Sequence, residues 1–455
     1  MTGLSQGIAA GPGVHEVTVE GGVPLSGEVR VPGFKHALVT VVAAAVLARA
    51  PVTIDNCPDI EEARVLAALL GVLGGRVERR DRSMTLDLAD LADKPLDPAL
   101  VGRIHGALYL IPGLLARFGQ VHMPAAGGCP IGDEPGGGRP VGQYVGVLER
   151  FGATATAGPD GSLTLRADRL TACDLDLRDF TADRTLRSGP LYSGATKTAV
   201  LAAAAAHGTS RLRCPYPKAD VTELVRVLQE LGYDAAYDPH GDLLIEGRPD
   251  GGHGRPVRHA LVSDLITVVT WATAAALTGG TVRLTGLTLD RLPAGLAPET
   301  AVGRAMGLRW AVDGPDALLL LPDPPRRSVD VAVVSHGIFS DSGPFLTLAA
   351  TLAPGTSFIR ETVWQRRFAF APQLNRLGTE IRVTGSQARI TGGRPPRIPG
   401  QDLVAGDLRA AAALLLASLA VPGPVRLRGV EHLARGYEDL TGELRRSGAR
   451  IHSTD

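Results

Sequence analysis

The sequence predicts an α/β protein of two similar-sized domains, with helices inside and sheets outside, and three observations carry that expectation. The first is a sixfold rhythm of glycines. In "LGVLGGRVERR", "GVLERFGATATA", "RVLQELGYDAAY", "AVGRAMGLRWAV", "LNRLGTEIRVTG" and "LRRSGARIHST", a helical pattern runs into a glycine and then into a short strand-like segment. The glycines are Gly74, Gly152, Gly232, Gly307, Gly378 and Gly448, spaced between 70 and 80 residues apart. A fixed period of this kind marks repeated architecture. Glycine just past a helix takes up the left-handed conformation without a Cβ clash, so each copy reads as helix, cap, strand.

The second observation is an interleaved series of Ala/Leu-rich helices: "GFKHALVTVVAAAVLARAPVTI", "VGRIHGALYLIPGLLARFGQVHM", "SGATKTAVLAAAAAHGTSRL", "SDLITVVTWATAAALTGGTVRL", "GPFLTLAATLAPGTSFI" and "GDLRAAAALLLASLAVPGPVRL". Each is apolar on most faces, turns at Gly or Pro, and continues into a β-branched strand. Helices apolar nearly all round belong in the interior, with sheets outside them. The third observation is size. The chain has 455 residues, 44% of them apolar, enough for more than one core. Six units at about three per core give two domains. A linear solenoid is the alternative, but such stacks usually have shorter repeats and polar terminal caps.

Charge and cysteine usage exclude several classes. The 47 basic residues balance 47 acidic ones, so no global field draws the chain to nucleic acid or to an anionic membrane. An anionic ligand must be held by a local cluster. Cys57, Cys129, Cys173 and Cys214 form no C-x-x-C pair and no His/Cys metal spacing, which argues against structural zinc and fits a reducing compartment. The opening "MTGLSQGIAAGPGVHE" lacks the basic start and apolar core of a signal peptide. The longest apolar runs, Ala37 to Ala48 and Ala410 to Val421, fall short of a bilayer span. A cytoplasmic protein is expected. Lysine occurs only at Lys35, Lys94, Lys197 and Lys218 in a chain rich in arginine, which singles each of them out.

Taken one at a time, the chemistry-bearing residues leave alternatives open. "GPLYSGATKT" has Gly189 and Gly194 at a phosphate-loop interval, but Lys197 comes two residues late, which discounts a nucleoside-triphosphate-hydrolysing loop. The turn at Tyr192, Ser193 and Gly194 is then an anion contact at a helix N-terminus or a plain helix entry. "VPGFKHA" puts Lys35 and His36 at the mouth of the first apolar helix. Lys35 reads as a snorkelling residue or as a cation aimed at an anion, and His36 as an ordinary polar cap. Asp341 in "FSDSGPF" and Asp407 in "AGDLRAA" precede the last two apolar helices, where aspartate is a common N-cap. Arg435 in "ARGYEDL" reads alone as a solvated loop arginine. Cys129 lies among glycines and prolines with Arg139 downstream. A buried structural thiol is usually found in an apolar element, so this stretch, Ala125 to Gly142, reads as a mobile lid delivering a thiol and a guanidinium.

Together these positions resemble the enolpyruvyl transferase family, and within it the UDP-N-acetylglucosamine enolpyruvyl transferases. The likeness runs through "VEGGVPLSGEVRVPGFKHA", "ARFGQVHMPAAGGCPIG", "FLTLAATLAPGTSFIRETVWQRRF", "GDLRAAAALLLASLA" and "EHLARGYEDL", collinear over nearly the whole chain. The resemblance implies two inside-out α/β barrels of three repeats each. One is built from residues 1–34 and 248–455; the other, residues 35–247, is inserted and carries the cysteine loop. The active site falls in the cleft between them.

The family moves the enolpyruvyl group of phosphoenolpyruvate onto a hydroxyl and releases phosphate, by addition and elimination, without metal or organic cofactor. By match to the family, Lys35, Arg139, Arg409 and Arg435 bind phosphoenolpyruvate, for whose phosphate and carboxylate guanidinium forks are suited. Cys129 is implied as the acid towards C3, Asp341 as the base towards the hydroxyl, and Asp407 as a second active-site carboxylate, with Lys35 also in the catalytic set. Acceptor contacts are implied for His36, His105, Tyr144, Tyr192, Ser193, Gly194 and Arg367.

Departures from the family pattern gather on the acceptor side. His36 stands where the UDP-sugar enzymes have asparagine, His105 where they have arginine, Tyr144 where they have histidine, and Lys218 where an acidic residue is common. The cysteine loop is lengthened by "DEPGGG" in "IGDEPGGGRP". A changed acceptor is therefore expected, since a hydrogen-bonding pocket discriminates by the polar groups it leaves unpaired. The 3'-hydroxyl of UMP, as used by enolpyruvyl transferases of the nikkomycin and polyoxin type, is the favoured acceptor. UDP-N-acetylglucosamine, for peptidoglycan synthesis, is the alternative, and an inactive nucleotide-binding paralogue a second one.

Overall fold

A computed structural model describes residues 15–132, 138–394 and 396–453. Its six sheets, five of four strands and one of three, wrap six core helices: Lys35–Ala45, Ile111–Phe118, Tyr192–Ala205, Leu265–Thr278, Gly343–Leu352 and Leu408–Leu419. The interior placement follows from the side chains. Every residue of Leu408–Leu419 is buried, and so is every residue of Tyr192–Ala205 except Ser193. Small residues permit close approach: a Cβ on Gly113 would lie 2.8 Å from Val46 Cγ1, so Ile111–Phe118 packs directly on the segment after Lys35–Ala45.

The six predicted glycine caps are left-handed, with φ from +88° at Gly378 to +100° at Gly448. Each ends an outer helix and starts a strand at the edge of its sheet: Arg76–Arg80, Thr154–Ala157, Asp234–Tyr237, Trp310–Val312, Glu380–Thr384 and Arg450–Ser453. Each core helix in turn feeds an inner strand of the following sheet, apart from Gln120–Met123, which lies at an edge of the three-stranded sheet. The chain is thus the inside-out α/β architecture that the repeats predict. A solenoid is ruled out by closure: Glu16–Glu20 pairs antiparallel with both Pro424–Arg428 and Arg450–Ser453.

Two segments cross side by side between the halves of the molecule. Gly33 bridges Ser263, Phe34 N donates to Val262 O at 2.8 Å, and Asp264 N donates to Pro32 O at 2.7 Å. Val257–Ala260 pairs in parallel with Val52–Asp55, so the chain stays in that sheet beyond residue 247 before the second crossing. Away from the crossing, Ser188 Oγ lies 2.6 Å from Thr362 Oγ1 and 3.2 Å from Ser335 Oγ. Lys218 Nζ donates to Gly337 O and sits 3.7 Å over the Phe339 ring. These contacts and the crossing bound a cleft between the two halves.

Candidate active site

The crossing places the first site residues. Asp264 caps Leu265–Thr278 by accepting from Ile266 N and Thr267 N at 2.8 and 2.9 Å, and its other oxygen accepts from Lys35 N at 3.3 Å. Lys35 and His36 therefore open the first core helix at the cleft. The Lys35 ammonium is neither solvated nor snorkelling: its side chain is 13% exposed and faces Glu62 Oε1 at 3.6 Å. His36 is not a cap, a position held by Phe34.

The cleft encloses about 1010 Å³, its open mouth included. It brings together Lys35, His36, His105, Cys129, Arg139, Tyr144, Ser193, Gly194, Asp341, Arg367, Asp407 and Arg409 from distant parts of the sequence. Two expected residues stand outside its lining. Tyr192 is fully buried, donates its hydroxyl to Cys214 O at 2.7 Å and packs edge-on against Tyr216 at 5.6 Å. It anchors the start of its helix from behind. Arg435 approaches the site through Cys129, with Nη1 3.7 Å from Sγ, while its Nε faces Glu61 at 3.5 Å. Cys129 itself is 9% exposed, so the thiol is buried at the cleft wall rather than carried free in a loop. Residues 133–137, most of the lengthened "DEPGGG" stretch, lie outside the described residues.

Asp341 is the electrostatic centre. Arg367 Nη2 donates to Oδ1 at 2.8 Å, Arg409 Nε to Oδ2 at 2.9 Å, and His36 Nε2 lies 3.4 Å from Oδ2. Burial works to raise its pKa, but the Arg409 and Arg367 charges overcome it and hold the carboxyl well below the usual range. Asp341 does not cap the following helix; its neighbour Ser342 occupies that position. Asp407 does cap its helix, accepting from Arg409 N at 2.8 Å and Ala410 N at 3.1 Å. That cap fixes the first turn from which Arg409 reaches Asp341, and Asp407 also lines the cleft.

At the other end, Tyr144 Oη lies 3.1 Å from His105 Nε2 and packs edge-on against Tyr109. Burial first, then the charges of Arg139 and Lys197, push His105 well below the ordinary imidazole value, so it is neutral. Arg139 sits 5.9 Å over the Trp364 ring.

Lys197 and Asp220, which the sequence reading leaves without a role, also line the cleft as a buried ion pair at 2.5 Å. The scarcity of lysine is the signal that marks Lys197; nothing local marks Asp220. Lys35, Arg139, Lys197, Arg367 and Arg409 face three carboxylates, Asp220, Asp341 and Asp407, which leaves the lining cationic. Arg139 Nε and Arg409 Nη1 are buried and carry no hydrogen bond among the described residues. Such donors keep hydrogen-bonding capacity for a water or a ligand acceptor.

The chain is similar to known proteins over nearly its whole length. The family model "EPSP synthase (3-phosphoshikimate 1-carboxyvinyltransferase)" matches residues 19–444. The chain is 31% identical over 440 residues to UDP-N-acetylglucosamine 1-carboxyvinyltransferase 2 of Geobacillus kaustophilus (strain HTA426), covering 96% of each chain. It is 33% identical over 445 residues to UDP-N-acetylglucosamine 1-carboxyvinyltransferase of Anaeromyxobacter sp. (strain K), covering 96% of this chain and 99% of that one. Among solved structures, the enolpyruvyl transferase NikO from Streptomyces tendae superposes with a TM-score of 0.90 at 44% identity, over 97% of this chain and 99% of that one. EPSP synthase from Acinetobacter baumannii, at 18% identity and a TM-score of 0.73, shares the fold. With the repeats, the two-halved cleft and its cationic lining in agreement, the chain belongs to the EPSP synthase family and is an enolpyruvyl (1-carboxyvinyl) transferase.

Proposed function

We propose that this enzyme transfers the enolpyruvyl group of phosphoenolpyruvate to the 3'-hydroxyl of UMP and releases phosphate. The carrying observation is the neutral His105–Tyr144 pair. By the family resemblance His105 stands where the amino-sugar nucleotide enzymes carry an arginine and Tyr144 where they carry a histidine, so this end of the cleft offers fewer cationic donors to a second phosphate, which suits a nucleotide that has only one. The 44% identity to NikO, against 31% and 33% to the two amino-sugar enzymes, supports the same branch.

In this reading Lys35, Arg139 and Arg409 hold phosphoenolpyruvate, the last two through the donors left unpaired, and Arg435 acts beside Cys129. The Cys129 thiol gives its proton to C3 while the acceptor oxygen bonds to C2. Carboxylates at Asp341 and Asp407 stabilise positive charge developing at C2. His36, Tyr144, Ser193, Gly194 and Arg367 bound the acceptor space. No helix of the described residues is long and apolar enough to cross a membrane.

The second reading, UDP-N-acetylglucosamine as acceptor, is favoured by the 31% and 33% identity to the amino-sugar enzymes over 96% of this chain. Phosphate release from phosphoenolpyruvate with each nucleotide separates the two. Turnover with UMP alone is expected; turnover with the amino-sugar nucleotide alone overturns the proposal, and binding of nucleotide without turnover of either would mark an inactive paralogue.

A further inference from the structure

His36 has no chemical part in the roles assigned to Cys129 and the arginines, yet its surroundings are unusually constrained. The ring stacks on Phe34 at 5.2 Å and 30°, and is tilted against Phe339 at 6.3 Å. These contacts fix the ring plane at the start of the first core helix. Nε2 points to Asp341 Oδ2 at 3.4 Å. Asp341, paired with two guanidinium groups, is a carboxylate and offers no proton, so the hydrogen in this contact belongs to Nε2. In the neutral ring Nδ1 then carries the lone pair. It has no hydrogen-bond partner among the described residues, and the side chain is 30% exposed at the cleft.

Asp341 is badly placed to act as the base itself. Oδ1 accepts from Arg367, while Oδ2 accepts from Arg409 and faces His36. A carboxylate held by two cations is a weak proton acceptor, because protonation must give up both attractions. A neutral imidazole with its tautomer set by a carboxylate, and its second nitrogen unpartnered on a side chain that lines the cleft, is the arrangement general-base catalysis requires.

We propose that His36 Nδ1 is the base that takes the proton from the acceptor hydroxyl, and that Asp341 is a positioning residue fixing the imidazole tautomer. The inference rests on the enolpyruvyl-transfer reading of the cleft. In the addition step, the acceptor oxygen bonds to C2 and its proton passes to His36 Nδ1, while Cys129 gives a proton to C3. In the elimination step, C3 returns a proton to the Cys129 thiolate and the C2–O bond to phosphate breaks. The imidazolium then passes its proton to the departing phosphate. Both side chains end as they began, and the net change is hydroxyl plus phosphoenolpyruvate to enolpyruvyl ether plus phosphate.

The charged groups acting on His36 are Asp341 and Asp220, which favour its protonation, and Lys35 and Lys197, which oppose it. Burial is the largest influence, and the balance lies below the ordinary imidazole value. The ring is therefore unprotonated at neutral pH and remains available as a base into mildly acidic solution.

Two measurements on the full chain test this. In protein labelled with ¹⁵N-histidine, with H36Q used to assign the resonance, His36 is expected to be the neutral Nε2–H tautomer at pH 7.5. An Nδ1–H tautomer or an imidazolium overturns the proposal. Kinetically, H36N and H36Q are expected to lower kcat by about 10²- to 10⁴-fold, with KM for phosphoenolpyruvate little changed and the histidine-dependent acid limb of the pH profile abolished. A kcat within about threefold of wild type, or a reduced kcat that keeps the same acid limb, overturns it. The assay uses UMP or UDP-N-acetylglucosamine, whichever the wild type turns over. If it turns over neither, the proposed function fails, and the tautomer measurement still decides the state of His36.

Discussion

Arg409 and Asp341, 68 residues apart in the chain, meet at 2.9 Å, with Arg367 closing on the other carboxylate oxygen at 2.8 Å. Removing the carboxylate would leave two buried guanidinium groups facing each other. Asp341→Asn is therefore expected to lower the unfolding free energy at pH 7 by about 3 kcal/mol, the scale of a broken buried ion pair. The pH dependence has a definite sign. Because the folded pKa is depressed, the stabilisation is fully present above the ordinary value of 3.8 and is lost as pH falls through the folded pKa. Urea melts should show a deficit that is constant from pH 8 to about 5 and shrinks only in strong acid; a deficit that shrinks near pH 6 would disprove the assignment.

Gly33 links backbone geometry to activity. A Cβ there would lie 2.1 Å from Asn56 O, so Gly33→Ala must displace the crossing that carries Lys35 and His36. A shift of about 1 Å in catalytic groups costs on the order of 10²-fold in rate, and kcat/KM should fall on that scale. Gly71→Ala is the control: it lies in the exposed part of Glu61–Val72 with nothing within 4 Å, and should raise stability by about 0.4–1 kcal/mol at unchanged rate.

Cys129 faces the cleft beside the Arg435 guanidinium. An epoxide phosphonate of the fosfomycin type, whose anion the cleft cations would hold, should alkylate this thiol. Intact-mass spectra are expected to show one adduct in the wild type and none in Cys129→Ser. Equal labelling of both proteins would locate the reactive thiol at one of the other three cysteines.

Tyr144→Phe removes the partner of His105 Nε2 while keeping the aromatic contact with Tyr109. A lost buried hydrogen bond costs about 1–1.5 kcal/mol, so KM for the nucleotide should rise about tenfold, with KM for phosphoenolpyruvate unchanged. An equal rise in both would place the pair at the phosphoenolpyruvate end of the cleft.

The fold was legible because its signals are local. A glycine cap recurring beside Gly74 and five counterparts, and helices such as Leu408–Leu419 buried on every face, write their roles into neighbouring residues. Most residues that the family resemblance named line one cleft, and where the structure places a residue otherwise the reason is physical. Tyr192 sits in a string that looks like a ligand-binding turn, but its phenol satisfies the Cys214 carbonyl behind the helix. Asp220 carries no mark in its own segment, because its meaning comes from Lys197 across the helix packing. His36 and Asp341 are 305 residues apart, and no local pattern shows that a cap-like histidine and a cap-like aspartate share a hydrogen bond.

The strand Glu16–Glu20, held between Pro424–Arg428 and Arg450–Ser453, also makes one half of the molecule depend on long-range pairing. Its neighbours in the sheet lie more than four hundred residues further along the chain. The half built around Lys35–Ala45 and Tyr192–Ala205 draws its strands from a shorter stretch of sequence. The half that contributes Asp341 and Arg409 therefore carries the larger loop-closure cost, and the cleft is complete only once that distant pairing is made.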